Sequence, residues 1–161
     1  FIDAVGRSVI SATLNGVAVD TSNFDGESIF LTNLAADNLL VIEIEAEYSK
    51  SGEGLQRSVD PSDGEVYLYS QGETAHIRNM FPCFDQPSVR ATLDLKVLAP
   101  EDDWVVIANG THAQKMEVSC IPELDGMFEP TKMWLHTFEQ CPPISSYIYN
   151  MCAGQFLEIA D

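Results

Sequence analysis

Between Gln71 and Asp85 the chain gathers an amide, two carboxylates, an imidazole, a guanidinium and a thiol, carried by Gln71, Glu73, His76, Arg78, Cys83 and Asp85. No rule of strand alternation or turn formation asks for this order, so the run 67–92 holds information that packing does not explain. The residue types alone allow little chemistry. His76, His112 and His136 stand far apart, no two within helical reach, so they form no metal-binding pair on a helix face and read as ordinary surface or core residues. Cys83, Cys120, Cys141 and Cys152 include no C-x-x-C pair and no close metal-ligand spacing, which argues against a thiol redox centre or a structural zinc site. A catalytic role for Cys83 has no neighbouring base to support it, and a buried cysteine is inert.

The run reads Tyr67-Leu68-Tyr69-Ser70-Gln71-Gly72-Glu73, continues through Arg78, and ends Phe81-Pro82-Cys83-Phe84-Asp85-Gln86-Pro87-Ser88-Val89-Arg90-Ala91-Thr92. It resembles the signature of the N-terminal domain of aminopeptidase N-type zinc peptidases, in which Tyr-Leu-x-x-Gln-x-Glu leads through an arginine into Phe-Pro-Cys-Phe-Asp-x-Pro. Leu14-Asn15-Gly16, Asp60-Pro61-Ser62-Asp63-Gly64-Glu65, Pro142-Pro143-Ile144-Ser145-Ser146-Tyr147 and Ala153-Gly154-Gln155-Phe156 are similar to the same domain, in its actinobacterial-like branch. The resemblance implies an all-β, saddle-like N-terminal domain of mixed and antiparallel sheets with one short helical turn, spanning residues 1–161, with the catalytic domain following Asp161. The family's first strand pair, ahead of the position matching Phe1, is missing, which is expected to leave a sheet edge unpaired.

The resemblance also implies a function for the parent protein: removal of N-terminal residues from peptides by a zinc-dependent enzyme. Its H-E-x-x-H zinc site and G-x-M-E-N loop are not in this chain, so no catalytic or metal residue is assigned here, and the zinc belongs to the parent. By position in the motif, Glu73 is the residue that helps hold the substrate's free α-amine, and Gln71 lines the first substrate pocket. A carboxylate meeting an ammonium makes a charge-assisted hydrogen bond that internal peptide bonds cannot offer. The bland alternative for Glu73 is a charge or cap at the start of a short helical turn, worth about 0.3–1 kcal/mol. Most branches carry an aromatic where this chain has Gly72, a departure expected to widen or reshape that pocket. Arg78, Phe81, Pro82, Asp85 and Pro87 read as structural, with Asp85 pairing locally with Arg78 or Arg90.

The elements that position these residues are strands. Period-two segments separated by Gly, Asn, Asp and Pro clusters dominate, and no 3.6-residue stripe persists, which predicts an all-β fold. Expected strands cover 8–14 and 17–19, joined by a type I′ turn at Asn15-Gly16, then 28–31, 41–48, 65–69, 91–98, 104–108, 115–119, 133–138 and 147–151. In 41–48, Ile42, Ile44, Ala46 and Tyr48 share one face and Glu43, Glu45 and Glu47 the other, a solvated carboxylate row. A helical turn is expected at 74–79, closed by Pro82. The loops 49–64 and 122–130 are the mobile candidates, and Asn109-Gly110-Thr111 reads as a strand-to-turn signal rather than a glycosylation site.

With 161 residues the chain is long enough to bury roughly 70% of its unfolded surface as one domain. Eight Lys plus Arg against 25 Asp plus Glu give a net charge of −17, whose field repels phosphate backbones and anionic lipid, so nucleic-acid and membrane partners are not expected. The expected partners are peptide substrates with a free N-terminus and the chain's own catalytic domain. The absence of a basic-then-apolar leader favours free thiols and a cytoplasmic setting. The rival class is a non-enzymatic β-sandwich interaction module, which the strand pattern also permits.

Overall fold

The computed structural model of the protein describes residues 1–119, 132–157 and 159; Cys120 and the expected loop 122–130 lie outside the described residues. The fold is all-β, built from several sheets with antiparallel ladders. An isolated parallel bridge joins Ser49 and Gln56. The chain divides into two compact units, the first made of residues 1–56, 70–90 and 145–149, the second of 57–69, 91–144 and 150–161.

In the first unit, β1 (Ile2–Asp3) pairs with β4 (Ser28–Ile29), and β2 (Ser8–Leu14) lies between β3 (Val17–Ala18) and β5 (Leu40–Glu45). Asn15 and Gly16 both take positive φ, 52° and 79°, which gives the β2–β3 connection the twist of a type I′ hairpin. The β2–β5 ladder runs from Ser8↔Glu45 to Leu14↔Leu40. Alternation along β5 turns Ile42 and Ile44 onto a core of Ile2, Ala4 and Ile29. Full burial of an isoleucine is worth about 1.5–3 kcal/mol, and these two, partly buried, gain a fraction of it. On the other face, Glu43 and Glu45 accept hydrogen bonds from the Ser11 and Ser8 hydroxyls, each at 3.2 Å. The strand stops at Glu45 instead of running to Tyr48 because its partner β2 starts at Ser8, the residue opposite Glu45.

The second unit draws on β6 (Gly54–Val59), β7 (Val66–Gln71), β8 (Arg90–Leu93), β9 (Lys96–Ala99), β10 (Val105–Ala108), β11 (His112–Val118), β12 (Met133–Phe138), β13 (Cys141–Ser145) and β14 (Met151–Gly154). Sheet orders are β10-β14-β7-β6, β11-β12-β9 and β13-β8. Val106, Ala153 and Leu68 lie in register on the buried face of the four-stranded sheet, and Ile107, Cys152 and Tyr69 on the opposite one. Cys83, Cys141 and Cys152 are free thiols.

Four further expectations change. The loop 49–64 contains β6, which reaches β7 through a turn that Asp60 organises by accepting from the Ser62 N–H at 2.8 Å. The segment 91–98 breaks into β8 and β9, because the first pairs with β13 and the second with β12, and Phe138 N–H donates to the Leu95 carbonyl at the break. Residues 147–151 do not form a strand; a 3₁₀ turn spans Ser146–Ile148, closed by Tyr149 N–H on the Ser146 carbonyl, and β14 begins only at Met151. The helical turn near 74–79 is present but confined to Ile77–Asn79.

Candidate functional site

β7 ends at Gln71, and the chain then folds into consecutive turns. His76 N–H donates to the Gly72 carbonyl at 3.0 Å, and Met80 and Phe81 N–H groups both reach the Ile77 carbonyl. Ile77 is fully buried and pins this segment from below. Gln71 and Glu73 are exposed, with buried Gly72 between them. The Gln71 side-chain carbonyl accepts the Glu73 main-chain N–H, which leaves the Gln71 amide NH₂ and the Glu73 carboxylate as the groups offered outward. The peptide bond from Glu73 to Thr74 is cis. Glu73 is not a helix cap: the 3₁₀ turn is preceded by His76, has no side-chain capping bond, and carries no acidic residue in its first turn.

The Phe-Pro-Cys-Phe-Asp run supplies the scaffold of this segment. Arg78 Nη1 donates to Asp3 Oδ1 at 2.9 Å, and its Nε reaches both the Ala75 carbonyl at 3.1 Å and Asp85 Oδ2 at 3.3 Å. Asp85 is buried; its other oxygen, Oδ1, accepts the Ser146 hydroxyl at 2.7 Å, and its N–H donates to Asp3 Oδ2 at 3.2 Å. Asp3 and Cys83 exchange main-chain hydrogen bonds at 3.0 and 2.9 Å. Two carboxylates thus share one guanidinium, and the remaining lone pairs are met by hydroxyl and main-chain donors, the condition under which a buried ion pair is tolerated. Arg78, rather than Arg90, is the partner of Asp85. Burial, reinforced by the negative charges of Asp85 and Asp3, pushes the Cys83 thiol up to about 12, so it holds its proton and is no nucleophile.

Residues 11–148, the stretch carrying Gln71, Glu73, Arg78 and Asp85, match the family model of the Peptidase M1 N-terminal domain. The chain belongs to that family. Over 159 residues this M1 N-terminal domain is 38% identical to the Aminopeptidase N of Streptomyces lividans, a match that covers 97% of the chain and 16% of that protein. It is 29% identical over 161 residues to the Probable aminopeptidase 2 of Sulfurisphaera tokodaii, covering 99% of the chain and 19% of the relative. The native leukotriene A4 hydrolase structure from Saccharomyces cerevisiae shares its fold, with a TM-score of 0.63 at 22% identity, over 95% of the chain and 22% of that one. The chain therefore spans a minor part of the length of each of these proteins.

In its second unit the M1 N-terminal domain brings together two histidines that their spacing kept apart. His112 and His136 meet across the β11–β12 ladder, with His112 Nε2 and His136 Nδ1 3.1 Å apart and the rings edge to face. They line a cavity of about 410 Å³ with Trp104, Val106, Lys115 and Phe138. His136 is buried, and its Nε2 has no hydrogen-bond partner among the described residues. Desolvation, with the adjacent His112 and Lys115, lowers its pKa below the usual histidine value. The signal that would have found this pair is the strand register, which the spacing of two polar residues does not reveal. His76, in the first unit, has its Nε2 3.3 Å from Glu53.

Proposed function

We propose that this M1 N-terminal domain is the non-catalytic portion of a longer zinc-dependent aminopeptidase that removes N-terminal residues from peptides. Within it, Glu73 anchors the substrate's α-ammonium, and Gln71 lines the pocket for the first side chain. The observation that carries the reading is the state of Glu73: its carboxylate is exposed, and no side-chain cation pairs with it among the described residues, while its main chain is held by Gln71. A carboxylate kept in place but left unneutralised is the group an incoming ammonium requires. The aminopeptidase names of the two relatives support the activity of the longer protein.

Among the described residues, no three His, Cys, Asp or Glu side chains form a group able to hold a metal ion. The described residues offer no zinc ligand set, and in this proposal the metal belongs to the catalytic domain of the longer protein. Docking of the catalytic domain is supported by Tyr69 and Ile107, exposed apolar side chains in register on either side of Cys152 on the outward sheet face.

The test is Glu73→Ala in the longer protein. Loss of a charged hydrogen bond of about 1.5–3 kcal/mol should lower kcat/KM for unblocked peptides roughly 10–100-fold. Unchanged kcat/KM accompanied by a lower melting temperature would remove Glu73 from the binding wall.

A further inference from the structure

Gly72 separates the two candidate binding residues and is buried where both of them are exposed. Its backbone does not demand glycine, since its φ lies outside the left-handed region. The demand comes from another stretch of chain. A Cβ at position 72 would lie 3.0 Å from the Tyr147 carbonyl oxygen, 3.2 Å from Tyr147 Cα and 3.1 Å from Ile77 Cδ1. Two of these three atoms are main chain and cannot rotate aside.

Both neighbours are also held from behind. Tyr147 sits in the 3₁₀ turn Ser146–Ile148, tied down by the Ser146 hydroxyl on Asp85, and Ile77 is fully buried at the start of the other 3₁₀ turn. On its outer side, residue 72 is bracketed by the bond from Glu73 N–H to the Gln71 side chain, and its own carbonyl takes the His76 N–H. The height of the Gln71–Glu73 segment is thus set by how closely residue 72 approaches Tyr147.

We propose that Gly72 is a positioning residue of the amine-binding wall: the missing side chain lets the segment seat on the Tyr147 main chain, and that seat fixes where the Glu73 carboxylate stands. The proposal rests on the anchor role of Glu73. A single added methyl lifts the segment by a few tenths of an ångström, which moves Glu73 relative to a substrate held from the opposite wall. In this proposal the glycine acts on the pocket through the placement of Glu73. A side chain at position 72 would start toward Tyr147 and Ile77.

The experiment is a double-mutant cycle in the longer protein, with leucine 4-nitroanilide as probe. Gly72→Ala should lower kcat/KM about five- to twentyfold in the wild-type background, as misplacement of a binding group does, and less than about twofold when Glu73 is already alanine. Equal losses in the two backgrounds, or no loss in either, overturn the positioning role while leaving the anchor intact. If Glu73→Ala alone changes nothing, the anchor itself fails, and the positioning role falls with it. Should Gly72→Ala prove too unstable to purify, the cycle is run with Gly72→Ala in an Ile77→Val background, which removes the Cδ1 contact and leaves the Tyr147 main chain in the way, and the same outcomes decide.

Discussion

Asp85 Oδ2 takes two hydrogen bonds from Arg78 alone, from its main-chain N–H at 3.2 Å and from its Nε at 3.3 Å. Side chain and backbone of one residue are thereby locked to a single buried oxygen, while Arg78 also donates to Asp3 and to the Ala75 carbonyl. Arg78→Ala leaves two carboxylates without their cation, and breaking such a pair costs about 3–5 kcal/mol. Ser146→Ala removes only the hydroxyl on Asp85 and should cost about 1.5–3 kcal/mol. Thermal unfolding followed by circular dichroism measures both, and an Arg78→Ala variant as stable as wild type would contradict the structural reading of the motif.

The pH dependence of stability should carry a signature of His136. Its folded pKa is lowered by desolvation, then by His112 and Lys115, so the unfolded chain takes up the proton first. Stability from the neutral ring is therefore complete above the ordinary histidine value of 6.5 and is lost as the pH falls below it toward the folded value. The lowered carboxylates Asp20, Asp25 and Asp60 act in a separate window, below the ordinary value of 3.8. Melting temperatures measured from pH 7.5 down to about 5 should fall more steeply for wild type than for His136→Phe. Parallel slopes for the two proteins would contradict it.

Two glycines in turns should differ in cost. Gly16 has φ +79° and nothing within 4 Å of an added Cβ, so Gly16→Ala meets only the left-handed backbone penalty of about 1–2 kcal/mol. Gly110 has φ +87°, and its added Cβ would also run into the Glu139 carbonyl, an obstacle made of main chain. Gly110→Ala should lower the melting temperature clearly more than Gly16→Ala, and equal shifts would show that the approach to Glu139 relaxes freely.

Sequence legibility followed the range of the interaction. The β2–β3 hairpin and the apolar face of β5 were readable because alternation and Asn15-Gly16 act between near neighbours. β13 was not, since Pro142 and Pro143 remove two main-chain donors and argue against a strand; the sheet tolerates them because, among the described residues, β13 pairs with β8 alone and its other edge needs no ladder donor. β6 hides among polar residues such as Gln56, Arg57 and Ser58, whose pattern matches a loop as well as a strand. At the candidate site, Gln71 and Glu73 were legible through the family signature, whereas the ties that hold their turn join Asp3 to Asp85 and Asp85 to Ser146, pairs 82 and 61 residues apart. No local pattern encodes partners at that separation. The role of Gly72 was hidden for the same reason, because the atom that excludes a side chain belongs to Tyr147.

The chemistry of Glu73 can be separated from its bulk by a graded series in the longer protein. Glu73→Gln keeps a carbonyl able to accept from an ammonium but loses the Coulomb attraction, so it should lose less kcat/KM than Glu73→Ala, which loses about 10–100-fold. The order is informative because the charge is not needed for the local fold: the Glu73 group that holds the turn is its main-chain N–H, which both variants retain. Melting temperatures of the two variants should accordingly stay close to wild type. N-acetylated peptides have no cation to hold, so the differences among Glu73, Gln and Ala should shrink to within about twofold for blocked substrates. Should the acetylated and free peptides respond alike to Glu73→Ala, the carboxylate is not reading the terminal charge, and its contribution has to be sought in the shape of the wall.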